Sequence, residues 1–157
     1  LPRRGARVGA PSPAEVRATL ELLGVLEGFA GVLACERATP EDLGELWALH
    51  YEMLAAHARG DKLGYFHRNQ AIHVAMVQAA RNAPLAEHHR LVNARVYRVR
   101  YISNLRTERW ESAIREHEEI LRAIERRDAA TVRPLLEGHV LQAWDQMQAA
   151  APELEGG

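Results

Sequence analysis

Apolar side chains recur every three or four residues along almost the whole chain, the spacing that gathers them on one face of an α-helix. No alternating strand pattern or hairpin signal interrupts it. Ser12-Pro13-Ala14-Glu15 is a capping box with proline at the first helical position, so a first helix is expected over 13–37 with Val16, Leu20, Leu23, Leu26 and Ala30 inward. Gly24, Gly28 and Gly31 weaken that helix, each by roughly 1 kcal/mol relative to alanine, which suggests a second helix packed close against it. Thr39-Pro40-Glu41-Asp42 repeats the start signal for a helix reaching about residue 59, with Leu46, Trp47 and Met53 available for packing.

Gly60-Asp61 then punctuates the chain. A third helix carrying Leu63, Phe66, His73 and Met76 is expected to end near Asn82, because Pro84 disfavours helix at the residue before it. The fourth, over about 84–104, points Leu85, Val92, Val99 and Ile102 inward. A fifth, over about 107–127, carries Trp110, Ile114, His117, Ile120 and Ile124. The last begins after Asp128 and ends near Ala150, with Val132, Leu136, His139, Val140, Ala143 and Met147 on its stripe. Pro134 either kinks this helix or marks its true first turn. Six helices with short connections predict an all-α fold, an antiparallel bundle enclosing a central ligand or metal cavity. Residues 1–12, basic and rich in Gly and Pro, read as a linker, 13–150 as the helical domain, and 151–157 as a frayed tail.

Composition narrows the function classes. A chain of 157 residues forms one domain with a real core, and a net charge of −1 provides no basic field for nucleic acid. The single cysteine, Cys35, excludes an internal disulfide and favours a reducing compartment, hence a cytoplasmic protein. No unbroken apolar run has the ~18 residues of a membrane span, and no signal-peptide pattern opens the chain. Histidine is the unusual count, at eight.

Three of the eight, His73, His117 and His139, occupy stripe positions on three separate helices, where Leu, Ile or Val would be ordinary. Any single one reads as a core histidine hydrogen-bonded to a carbonyl or carboxylate. Three together, with Asn69 one turn before His73 on the same face, read either as coincident core histidines or as ligands of a shared divalent metal; imidazole suits Zn, Ni, Cu or Fe, and Zn or Ni is the ion expected. Such a site leaves a position open for water or an anion. Arg95, between Val92 and Val99, is expected to face inward and to bind a carboxylate in bidentate fashion. A boundary arginine paired with a glutamate is the plainer reading. Arg98 and Arg100 are expected in solvent. So are the acids of REHEEILRAIERRD, as a salt-bridging face, while His50, His57, His67, His88 and His89 are expected at the surface or boundary. No GxSxG, Walker or HExxH motif is present, and no catalytic residue is assigned.

The stretches VLEGFAGVLACERATPEDL, YFHRNQAIHVAMVQAARNAPLAE, REHEEILRAIERRD and LLEGHVL carry a family likeness over about residues 13–148. The chain resembles the effector-binding C-terminal (FCD) domain of the GntR superfamily of bacterial transcriptional regulators, in its FadR-like branch. In metal-binding members an Asp-x3-His on one helix joins a histidine from each of two later helices. Those positions here are Asn69, His73, His117 and His139. Two departures stand out: Asn69 replaces the usual aspartate and lowers the expected metal affinity, and Leu23 replaces an arginine of the first helix. PRRGARV resembles the end of a winged-helix wing and its linker. The resemblance therefore implies an effector domain, present here without its DNA-reading part, that binds a metal and a small carboxylate effector, works as a homodimer, and contacts DNA only through an absent N-terminal domain. It implies no enzyme and no membrane association. Two further readings stay open: a metal-dependent hydrolase or isomerase on a helical bundle, and a metal-free dimerisation domain whose histidines are structural.

Overall fold

The computed structural model describes residues 11–105 and 107–154, and these form six α-helices with no strand among them. They are α1 (Pro13–Arg37), α2 (Pro40–Ala58), α3 (Lys62–Ala79), α4 (Ala83–Asn104), α5 (Trp110–Glu125) and α6 (Ala129–Leu154). Residues 1–10, most of the expected linker, lie outside the described residues, as do 155–157 and the side chain of Met147.

Local chemistry starts the first two helices where the start signals stand. The Ser12 hydroxyl accepts from the Glu15 backbone N–H at 3.2 Å, and the Glu15 carboxylate accepts from the Ser12 N–H at 2.7 Å. Thr39 and Asp42 repeat the exchange at 3.2 and 2.9 Å. The sharpest difference from expectation is the end of α3. It stops at Ala79 because Arg81 turns the chain through a left-handed conformation (φ 50°) and Asn82 serves instead as the cap of α4, accepting from Leu85 N–H. Thr107–Arg109 form a tighter 3-10 turn ahead of α5. α6 runs past Ala150 to Leu154, carried by the alanines there. Pro134 falls in its second turn, and the helix continues through it.

α1 forms the spine of the bundle, in contact with α3, α4, α5 and α6. A helix touched on so many sides must be apolar around much of its circumference. Its glycines face α6: the Gly24 α-carbon looks onto the Glu137 backbone, and a β-carbon on Gly31 would run into Leu136 Cδ1. The main core joins Ala34 and Cys35 of α1 to Leu46 and Met53 of α2, Ile72 and Met76 of α3, Ile120, Leu121 and Ile124 of α5, and Val132 and Leu136 of α6. Tyr65 stacks on Trp110, with ring centroids 4.4 Å apart, and Trp110 Nε1–H donates to the Asn104 carbonyl. At the far end Arg127 donates to the carbonyls of Cys35 and Ala38, tying the α5–α6 turn to the end of α1.

α4 sits in a register other than the expected one. Its buried residues are Leu85, His89, Val96, Arg100 and Ser103, while Val92, Val99 and Ile102 occupy the half-buried flank. The apolar residues mark one edge of the inward face. Its centre belongs to polar side chains that find partners inside.

Candidate metal centre

α3, α5 and α6 bring their stripe histidines to one place. The rings of His73 and His117 are 5.2 Å apart between centroids, those of His73 and His139 also 5.2 Å, and those of His117 and His139 4.6 Å. One nitrogen from each lies within 4.8 Å of the other two. His117 Nε2 is 3.0 Å from His139 Nε2, and the Asn69 amide is 3.3 Å from the same His117 nitrogen. Asn69, His73 and His117 are buried, and His139 lies at the edge. Two nitrogens bound to one tetrahedral zinc stand roughly 3.3 Å apart, given Zn–N bonds of about 2.0–2.1 Å.

The other ring nitrogens explain how the histidines are aimed. His73 Nδ1–H donates to Glu27 Oε2 at 2.6 Å, and His139 Nδ1–H donates to Glu116 Oε2 at 2.7 Å. In both rings Nε2 is left to point at the cluster, and His73 Nε2 is buried without a hydrogen-bond partner in the protein. A donor set of three imidazole nitrogens and one amide suits a borderline cation such as Zn or Ni, so the residues fit the metal.

Burial sets the electrostatics. Desolvation lowers the His73 pKa to about 4 despite the neighbouring Glu27 carboxylate. His117 is held well below the usual histidine range, by desolvation first and then by the two other histidines. Both are therefore neutral at pH 7, the form a metal requires. For Glu27, burial favours the neutral acid but is outweighed by His73 and Arg100, which keep it ionised. Its other oxygen accepts from His89 Nε2–H at 3.1 Å and from Arg100 at 3.3 Å. Glu116 is likewise lowered, chiefly by its hydrogen bond to His139 working against burial.

Beside the histidines a cavity of about 40 Å³ is lined by Tyr65, Asn69, Arg100, Arg109, His139 and Gln142, among others. The Tyr65 hydroxyl and the Gln142 amide oxygen are buried there without partners.

Several expectations require correction. Arg95 is exposed, and the guanidinium aimed inward from α4 belongs to Arg100, one turn and a residue later, expected in solvent. An arginine can be buried only beside an anion, and Glu27 is that anion. His89 and His50 are buried, not at the surface, whereas His88 is exposed. Among the acids taken as an exposed face, Glu116 turns inward to His139. Glu27 went unnoticed although a signal existed: it follows Leu20 and Leu23 on the stripe of α1 at spacings of seven and four.

The FCD domain family model matches residues 18–142. Among solved structures, the chain is similar to the Escherichia coli protein McbR/YncC, with a TM-score of 0.80 at 20% identity, covering 88% of this chain and 66% of that one. It is also similar to Lar, described as controlling expression of the Listeria monocytogenes agr system and mediating virulence, with a TM-score of 0.73 at 14% identity and the same coverage. The chain thus spans about two thirds of the length of each. A comparison with curated proteins finds no match. With a family model spanning most of α1 through α6, on the fold its motifs implied, the chain belongs to the FCD domain family.

Proposed function

We propose that this domain is the ligand-sensing part of a cytoplasmic bacterial transcriptional regulator of the GntR superfamily, acting as a homodimer. It binds a divalent metal, Zn or Ni, through His73, His117 and His139 with Asn69 as the fourth donor. A small carboxylate effector enters the adjoining cavity. Arg100 and Arg109, both lining that cavity, take the anchoring part expected of Arg95. The observation that carries this reading is the convergence of three imidazoles, those of His73 and His117 buried and neutral, on one point beside a cavity lined by two guanidinium groups. Membership of the FCD family and the regulatory description of Lar support it. Room for about three water-sized volumes favours an acid of few heavy atoms. Effector binding would bias two helix arrangements and so change how an N-terminal winged-helix domain meets DNA.

A thermal-shift screen of Zn²⁺ and Ni²⁺, each with a panel of small carboxylates, tests this. A ligand present at one hundred times its Kd stabilises by about 2.7 kcal/mol, which is on the order of 5–10 °C for a domain this size. The shift is expected to vanish in His73→Ala and His117→Ala. If neither metal nor any acid moves the melt of the wild-type protein, the sensor reading is lost. Turnover of a carboxylate or ester that disappears in His139→Ala would replace it with the hydrolase reading.

A further inference from the structure

Two buried polar atoms beside the metal centre remain unmatched, and the metal has no use for either. The Tyr65 hydroxyl and Gln142 Oε1 have no hydrogen-bond partner, and both side chains line the cavity shared with Asn69, Arg100, Arg109 and His139. Tyr65 is fully buried, its ring held against Trp110 at 4.4 Å. An unmatched buried polar group weakens the fold, so such groups are rare and point to a missing partner. Gln142 is not free to turn its oxygen elsewhere. Its amide N–H is directed to the Glu116 carboxylate, which only accepts, and Oε1 is therefore the end left over. Burial raises the Tyr65 pKa above its ordinary value, so the hydroxyl stays protonated and can donate as well as accept.

We propose that Gln142 and Tyr65 are a specificity-determining pair that reads a hydroxyl group on the ligand of this cavity, selecting a hydroxy acid over the plain acid of the same length. The inference rests on the proposed function for the carboxylate of that ligand, and adds what the rest of the ligand carries. Gln142 Oε1 only accepts, so the ligand must bring a donor. The Tyr65 hydroxyl can give its own proton back to the same oxygen. A hydroxyl satisfies both. An ammonium suits the place less well. The carboxylates at hand, Glu27 and Glu116, are already engaged by Arg100 and Arg109 at 3.3 and 3.4 Å, and a cation would meet two guanidinium groups and a neutral amide. A hydrogen or methyl in the same position leaves both protein atoms unmatched, which is how a polar site rejects the analogue lacking its group. Neither residue is among the metal donors, so this selection is separable from any chelation by the metal.

Calorimetric titration with glycolate, acetate and glycine, and with lactate against propionate, measures the selection, with and without one equivalent of Zn²⁺. Glycolate is expected to bind about tenfold tighter than acetate or glycine. Tyr65→Phe keeps the stacked ring and removes only the hydroxyl, and Gln142→Met keeps the length of the side chain and removes the acceptor. Each should lower the glycolate-to-acetate ratio by about threefold or more at equal Zn²⁺, because chelation by the metal is common to wild type and variants. Without ligand, Tyr65→Phe should melt at or above the wild-type temperature, since it deletes an unmatched buried group. A lower melting temperature would show that the hydroxyl already has a partner, and it overturns the proposal. So does a glycolate-to-acetate ratio unchanged in both folded variants. If the wild type binds none of these acids, the function proposed above fails and the selection with it; plain and hydroxy acids bound alike overturn the selection alone.

Discussion

Glu27 of α1 and His73 of α3 share a 2.6 Å hydrogen bond at a point that neither side chain's solvent shell reaches. The same carboxylate also serves His89 and Arg100 of α4, so one anion joins three helices. Removing it leaves two imidazole N–H groups buried without that acceptor and the Arg100 guanidinium without its counter-ion, with the Asn93 amide oxygen still accepting from it at 2.8 Å. Loss of one partner of a buried ion pair costs about 3–5 kcal/mol. Glu27→Ala should therefore lower the melting temperature by on the order of 10 °C, even without metal. A melt within 2–3 °C of wild type (roughly 1 kcal/mol) would mean that Arg100 and the histidines find other partners.

Acid should weaken the fold before it reaches the ordinary carboxylate range. The His73 pKa is lowered to about 4 in the folded protein, while an unfolded histidine titrates near 6.5. Between these values the unfolded chain binds the extra proton, so stability rises with pH. The contribution is complete above about 6.5 and is lost as pH falls towards 4. His117, lowered for the same reason of burial, acts in the same direction. Glu27, ionised in the fold below the usual carboxylate value, extends the loss to lower pH. Urea midpoints measured from pH 7.5 to 4.5 should fall steadily. A flat profile across that range would show that these histidines are already solvated.

Two glycines should respond with opposite signs to the same change. Gly31 lies where α1 meets α6, and a β-carbon there runs into Leu136 Cδ1. Gly31→Ala should destabilise by about 1–3 kcal/mol, the range for overpacking a filled core. Gly138, inside α6, has nothing within 4 Å of where a β-carbon would stand. Gly138→Ala should raise stability by up to about 1 kcal/mol, the intrinsic helix preference of alanine. Chemical denaturation of the two variants side by side checks both, and equal effects would contradict the close approach of the helices.

Arg127 closes the end of the bundle. It adopts φ 60° and still gives guanidinium hydrogen bonds to the carbonyls of Cys35 and Ala38, at 3.0 and 2.8 Å. These oxygens belong to the last turn of α1 and its cap, where the helix has no donors of its own. Arg127→Ala keeps the strained backbone and loses the bonds, with an expected cost of about 1–2 kcal/mol. Arg127→Lys should recover less than half of it, because an ammonium lacks the planar fork. Hydrogen exchange should speed up at the end of α1 in the alanine variant. Unchanged exchange there would remove the latch.

How much of this was legible in the chain follows from the kind of physics involved. Helix starts were, because a capping box is local: Ser12 with Glu15 and Thr39 with Asp42 need only four residues to be read. The stripe histidines were too, because His73, His117 and His139 each interrupt an apolar period on its own helix. What encloses them was not. Arg95 and Arg100 look alike to a hydropathy pattern, and only the position of Glu27 on another helix determines which can be buried. Glu27 and Glu116 carry the same uncertainty, since a carboxylate on or beside a stripe reads as solvent-facing until its partner is known. Local periodicity thus determined the six helices and that His73, His117 and His139 face inward, while the burial of His50 and His89 escaped it. The tertiary structure alone decided which charges accompany them, because a buried charge is tolerated only beside a partner that sequence distance conceals.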